Sequence, residues 1–289
     1  MHPSQRLRAL LASGTTLVMP DAYDPLSARI IEELGFAAVQ CSGYSFSLAA
    51  ACPSEAEFGF ERNLRLIANI VQAVNVPVMA DGEDGFGDPE TVYRTVRAYI
   101  NVGVAGINLE DQVLNVPNSH QVIGCAQAIA KLTAALAAVR DADVPSLLIN
   151  ARTDALAVAT DKEAGLDEAI DRANAYLEAG AGLAFVTGVT SLAQVRRLVA
   201  GIRGPLSIAA GLASNAAAFS IADLIECGVA RVSLPTLPLF AAIDGVRRAL
   251  ADVARTNVFS ALPESVLSGG CSSSAVAPDN RPSCPLTSA

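Results

Sequence analysis

Three stretches place acids where apolar runs end. They read Met-Ala-Asp81-Gly-Glu83, Ile-Asn108-Leu-Glu110-Asp111 and Ile-Asn150-Ala-Arg152-Thr-Asp154. Read as strand ends, they send alternate side chains to opposite faces. Asp81 and Glu83 then share a face, as do Asn108 and Glu110, and as do Asn150, Arg152 and Asp154. If these faces meet, the carboxylates of Asp81, Glu83 and Glu110 repel one another in a low-dielectric cleft unless a cation joins them. Hard oxygen donors with no His or Cys among them suit Mg²⁺, with Mn²⁺ as the alternative. Arg152 offers a planar fork for a substrate carboxylate or phosphonate. A single strand-end acid is more often a helix cap or an Arg partner. Three acids and an Arg on successive strands make the metal-site reading the better one.

A fourth stretch, Cys41-Ser42-Gly43-Tyr44-Ser45, also follows an apolar run. Ser42, Gly43 and Tyr44 are expected to bind substrate, because backbone N–H groups and a hydroxyl can hold an oxyanion. A plain strand-to-helix turn is the alternative.

The elements that must carry these residues repeat eight times. Short apolar runs fall at Leu17–Pro20, Ala37–Gly43, Pro77–Glu83, Ala105–Asp111, Ser146–Thr153, Gly182–Val189, Leu206–Leu212 and Arg231–Pro235. Their length and composition fit buried parallel strands. Amphipathic stretches alternate with them, among them Pro25–Leu34, Leu64–Val74, Pro89–Val102, Leu166–Ala179 and Leu239–Arg255. Gly35, Gly103 and Gly180 stand where left-handed helix ends are expected. Asp88-Pro89-Glu90 reads as an N-cap, a Pro at the first helical position and a first-turn acid. Eight strand–helix units predict an α/β fold, a (β/α)8 TIM-type barrel, with an open doubly wound sheet as the alternative. The barrel domain is expected over residues 1–258. Residues 259–289, rich in Ser, Pro, Gly and Ala, read as a low-complexity, disordered tail.

Composition narrows the partners. The 289-residue chain is 52% hydrophobic and 17% charged, with a net charge of −9. With only 20 Lys and Arg and no basic stripe, a nucleic acid partner is not expected. No apolar run approaches ~18 residues, so no membrane span is expected. Six Cys without a C-x-x-C pair and no signal peptide before the first helix read as reduced thiols in a cytoplasmic protein. An acidic protein repels an anionic substrate at long range, so a carboxylate must be held locally, by a metal or an Arg.

Taken with their order and spacing, these motifs resemble the isocitrate lyase/phosphoenolpyruvate mutase superfamily over roughly residues 15–250. The pieces are Pro77-Val-Met-Ala-Asp81-Gly-Glu83-Asp-Gly-Phe-Gly87, Gly103-Val-Ala-Gly-Ile-Asn-Leu-Glu110-Asp111-Gln112 and Asn150-Ala-Arg152-Thr-Asp154-Ala. Met19-Pro20-Asp21-Ala22-Tyr23-Asp24 and Ser42-Gly43 add to them. The resemblance implies a Mg²⁺-dependent barrel that cleaves or rearranges a C–C or P–C bond beside a carboxylate through an enolate-like species. It makes Asp81 the direct metal ligand, with Glu83 and Glu110 holding metal-bound waters. Glu83 stands where the family usually has Asp. Arg152 matches the substrate-binding Arg, and Ser42 and Gly43 match the loop that holds the substrate.

Departures from the family bear on the reaction. Lyases carry a Lys-Arg/Lys-Cys-Gly-His lid, whose Cys position is Asn118 here. Mutases carry Lys-Thr-Asn-Ser, whose last two residues match Asn118 and Ser119 while Val116 replaces the Lys. A further metal-shell Asp of the family is Ser54 here, with Glu55 next to it. Asn118, Ser119 and His120, with Glu110 and Arg152, are the candidate catalytic residues, His120 being able to titrate near neutral pH. Cys125 reads as a helix-packing thiol. The expected activity is phosphonomutase-like, on a small α-keto or α-hydroxy carboxylate or a phosphonate. A methylisocitrate lyase-like C–C lyase, an oxaloacetate hydrolase and a catalytically lapsed carboxylate binder are the alternatives. A homodimer or homotetramer is expected from the resemblance.

Overall fold

The apolar runs close into a barrel of eight parallel strands in chain order, β1 pairing with β8. The computed structural model describes residues 1–113, 121–144, 146–260 and 262–267. The strands are β1 (Leu17–Ala22), β2 (Val39–Cys41), β3 (Val78–Asp81), β4 (Gly106–Glu110), β5 (Leu148–Thr153), β6 (Leu183–Val186), β7 (Leu206–Ala209) and β8 (Arg231–Leu234). The helices are α1 (Pro3–Leu11), α2 (Pro25–Glu33), α3 (Gly43–Ala49), α4 (Glu55–Phe58), α5 (Phe60–Ala73), α6 (Pro89–Asn101), α7 (Cys125–Asp141), α8 (Ala155–Val158), α9 (Lys162–Glu178), α10 (Leu192–Gly201), α11 (Ile221–Glu226), α12 (Leu237–Thr256) and α13 (Glu264–Leu267). Two compact units are present, Met1–Ala242 with the whole barrel and Ile243–Ala289. Residues 268–289, most of the expected tail, lie outside the described residues; the part within them includes α13. No helix among the described residues is long and apolar enough to cross a membrane.

The strands are buried almost throughout, as parallel strands covered by helices require. The amino end of the barrel is closed by α1. Its Leu7, fully buried, packs with Leu17, Ala38, Ala105 and Leu183, and Arg8 Nε donates to the Ser146 carbonyl at 2.7 Å. The carboxyl end is left for chemistry. Gly35, Gly103 and Gly180 take positive φ at helix ends, and Asp88 caps α6 through a bond from Thr91 N at 2.9 Å. Cys125 opens α7 partly buried against the core.

Six strands stop earlier than the apolar pattern suggests, and the shortening of two of them bears on the site. The second ends at Cys41 because Ser42 turns to cap α3. The third ends at Asp81, and Glu83 takes a left-handed φ of 50°. Strand alternation therefore places Asn108 with Glu110 and Asn150 with Arg152, whereas a turn places Glu83.

Gly188 shows how tightly the loops at the carboxyl end fit. Its φ is 76°, and a Cβ there would stand 2.5 Å from Ala157 Cα and 2.7 Å from Ala157 N. Backbone cannot yield as a flexible side chain can. Gly188→Ala is expected to destabilise the protein by about 2–3 kcal/mol, combining overpacking with an unfavourable φ. Urea unfolding measures this, and a loss below about 0.5 kcal/mol would contradict the close approach.

Candidate active site

The carboxyl ends of β3 and β4 bring Asp81, Glu83 and Glu110 together. One carboxylate oxygen from each lies within 4.8 Å of the others, and all three residues are buried. Asp81 is fixed on both oxygens, Oδ2 accepting from Gly43 N at 3.0 Å and Oδ1 from Glu83 N at 3.2 Å. The Glu83 carboxylate lies directly over Gly43, where any Cβ would overlap its Oε1. Any side chain at position 43 would have to displace the Glu83 carboxylate from this place.

Across the site stands Arg152, whose register partner on β4 is Glu110. Its Nη1 approaches Glu110 Oε2 at 2.5 Å. The contact is an ion pair without hydrogen-bond alignment, so Oε2 stays a buried acceptor with no donor. The other edge of the guanidinium is held by Asp154, with Nε to Oδ2 and Nη2 to Oδ1 both at 2.9 Å. Gln112 Oε1 also accepts from Nη2, at 3.4 Å. The fork expected to face a substrate is thus engaged by protein carboxylates, and Nη1 is shared with a member of the acidic trio.

Asp154 is positioned in turn. It accepts from Thr187 Oγ1 at 2.7 Å, and its own N–H donates to Asp111 Oδ1 at 2.9 Å. Asp111 Oδ2 accepts from Tyr176 OH at 2.8 Å and Arg172 Nη1 at 3.1 Å. Sequence reasoning assigned no role to Asp111, Arg172, Tyr176 or Thr187. The adjacency of Asp111 to Glu110 was the only local signal; Arg172 reaches it from another element, 61 residues on.

Ser42 caps α3, accepting from Ser45 N at 3.5 Å, and Tyr44 is half exposed. The Gly43 amide expected for a substrate oxygen is used by Asp81. Ser54 caps α4, and Glu55 beside it feels the charges of Asp81, Arg152 and Asp154. Asn118, Ser119 and His120 lie outside the described residues.

Burial raises the carboxyls of Asp81, Glu83 and Glu110, most strongly for the last two. Mutual repulsion adds to the rise at Glu83, while Arg152 opposes it at all three. Burial likewise brings Glu55 up to about 7. Burial and crowding thus disfavour the charged forms of all three, and a bound cation would favour them again. Three crowded carboxylates with no His or Cys among them fit a hard divalent cation in donor type and spacing.

A further acid, Asp21, is fully buried at the end of β1, with Oδ1 unpartnered. Its Oδ2 accepts from Ser45 Oγ and from Thr236 N. The sequence offers it only as an acid after the first apolar run, within Met19-Pro20-Asp21-Ala22-Tyr23-Asp24; its partners come from α3 and the segment after β8.

A TIM-type barrel with an acid–guanidinium centre at its carboxyl end places the chain in a broad class of enzymes. Comparison narrows it. The family model for phosphoenolpyruvate phosphomutase matches residues 7–254, and the chain belongs to that family, within the isocitrate lyase/phosphoenolpyruvate mutase superfamily of lyases and phosphonomutases. It is 36% identical over 206 residues to 2,3-dimethylmalate lyase of Eubacterium barkeri, covering 68% of each chain. Among solved structures, oxaloacetate acetylhydrolase in complex with the product oxalate superposes with a TM-score of 0.83 at 27% identity, over 91% of this chain and 90% of that one. Phosphonopyruvate hydrolase in complex with oxalate and Mg²⁺ gives 0.80 at 27% identity, over 93% and 96%.

Burial raises the Asp21 carboxyl to about 8 from 3.8, against the opposing bonds from Ser45 and Thr236. The folded state then keeps a proton that the unfolded state has lost. This stabilisation is complete below about pH 4 and is lost as pH rises through about 8, by up to ~1.4 kcal/mol per pH unit. Asp21→Asn is expected to flatten the fall in urea stability between about pH 5 and pH 8. Parallel profiles for the two proteins would show that Asp21 does not titrate in this way.

Proposed function

We propose that this enzyme binds Mg²⁺ through Asp81, with Glu83 and Glu110 beside it, and cleaves or rearranges a C–C or P–C bond of a small α-keto or α-hydroxy carboxylate or phosphonate through an enolate-like species. The observation that carries this reading is the meeting of three buried carboxylates with Arg152 across one site. When bound, the cation supplies Lewis acidity toward a substrate oxygen.

The chain's own residues do the positioning. Asp81, fixed by the Gly43 and Glu83 amides, presents a carboxylate that is not free to rotate. Asp154 holds the Arg152 plane by two parallel contacts, leaving Nη1 toward Glu110 and the site. A substrate carboxylate would meet Arg152 at this edge as Glu110 turns toward the cation. Burial excludes water, which strengthens each of these charges.

Asn118 and Ser119 support the rearranging branch, and similarity to the Eubacterium barkeri 2,3-dimethylmalate lyase supports C–C cleavage. A carboxylate-binding protein without turnover is the second reading, favoured by Asn118 and Val116 where lid Cys and Lys would stand.

The full chain should be incubated with 2,3-dimethylmalate, oxaloacetate and phosphonopyruvate, with and without Mg²⁺, and followed by NMR. At least one should be consumed only with the metal, and Asp81→Ala should slow that reaction at least about a hundredfold. Undiminished turnover in the variant would remove the metal role. Mg²⁺-dependent binding of all three without consumption would select the second reading. Arg152→Lys should weaken oxalate binding about tenfold or more, because an ammonium cannot keep the two-point grip; calorimetry reads this, and equal affinity would contradict it.

A further inference from the structure

Strand β6 sends its side chains two ways. Ala184 and Val186 pack outward with Leu166, Ala169 and Leu198 of the surrounding helices. Leu183 points inward, packing with Leu7, Met19 and Met79 at the closed end of the barrel. Alternation puts Phe185 on the inward face, one level nearer the site. Its ring is buried, yet it joins none of the apolar clusters among the described residues. The groups over it are cations: Arg152 Cζ stands 5.9 Å from the ring centroid and Arg231 Cζ 5.5 Å. Register explains the meeting, since Arg152 pairs with Phe185, Phe185 with Ser207 and Ser207 with Arg231.

Each guanidinium has its own need of this ring. Arg231 is fully buried, and its donors go to Ser207 Oγ at 2.9 Å, Gln40 Oε1 and Met19 Sδ, all uncharged. A buried cation without an acid beside it is costly, and the negative face of an aromatic ring offsets part of that cost. Arg152 has acids, but they hold it from one direction. Its contacts run along its N–H bonds toward Asp154, Glu110 and Gln112. None of these blocks a retreat into the barrel. The Phe185 ring occupies that side, and Arg231, past Ser207 in strand order, repels a guanidinium moving toward it.

We propose that Phe185 is a positioning residue: its ring, shared between two guanidiniums, fixes the Arg152 fork in the place where it receives a substrate carboxylate. The inference rests on the proposed role of Arg152 and adds the residue that orients it.

Replacing Phe185 in the full chain with mono-, di- and trifluorinated phenylalanine keeps the shape of the ring while stripping negative charge from its face in steps. Oxalate affinity, read by calorimetry with Mg²⁺, should fall in the same steps, by about threefold at the trifluorinated ring, the scale of a weakened cation–π contact. Thermal unfolding checks that each variant folds. A ring that only fills space would give the same affinity across the series, and that result would overturn the proposal. A second readout needs no ligand. In crystals of the ligand-free Phe185→Leu protein, the Arg152 guanidinium should leave its wild-type place or occupy two orientations. A single, unmoved orientation would overturn the brace whether or not oxalate binds. Equal oxalate affinity in Arg152→Lys would instead remove the carboxylate site, so the two ideas fail by different results.

Discussion

Repulsion among buried carboxylates is the constraint around which the carboxyl end of this barrel is arranged. Asp81, Glu83 and Glu110 each place a carboxylate oxygen within 4.8 Å of the others and are removed from water. Such a cluster is unfavourable by itself, and only protons or a cation can relieve it. The surrounding structure keeps the cost from being relieved by movement. Two amides pin Asp81, Glu83 sits in a left-handed turn over a glycine, and Glu110 stands on a central strand opposite Arg152.

Arg152 is the counterweight, and its placement depends on residues far from it in the chain. Asp154 grips one edge, Thr187 and Asp111 hold Asp154, and Arg172 with Tyr176 holds Asp111. The network joins β4, β5, the end of β6 and α9. Deeper in the barrel a second guanidinium, Arg231, is fully buried and bonded to Ser207 and Gln40; burial brings it down to about 9. It adds positive potential at the amino end of the strands, and Asp81 is the charge it feels.

Much of this was legible in the sequence because parallel strands are apolar except at their ends. Polar residues there had to be either caps or chemistry, and the eightfold repeat set the fold class. Asn108 with Glu110, and Asn150 with Arg152, share faces for the reason alternation gives. Glu83 joins Asp81 for a different reason, a turn at φ 50° that no alternation rule contains. Arg172 was not readable, nor were the partners of Asp21, since these contacts come from other elements. The engagement of Arg152 by Asp154 was hidden too: the N-A-R-T-D spacing is equally compatible with a free fork.

The account stands on one cation among three acids. Diffraction from crystals of the full chain grown with Mn²⁺, read at the manganese edge, tests this most directly. The account predicts a single anomalous peak at bonding distance from an Asp81 oxygen, with Glu83 and Glu110 turned toward it. A fully bound ion elsewhere, with the three carboxylates left facing one another, would contradict it.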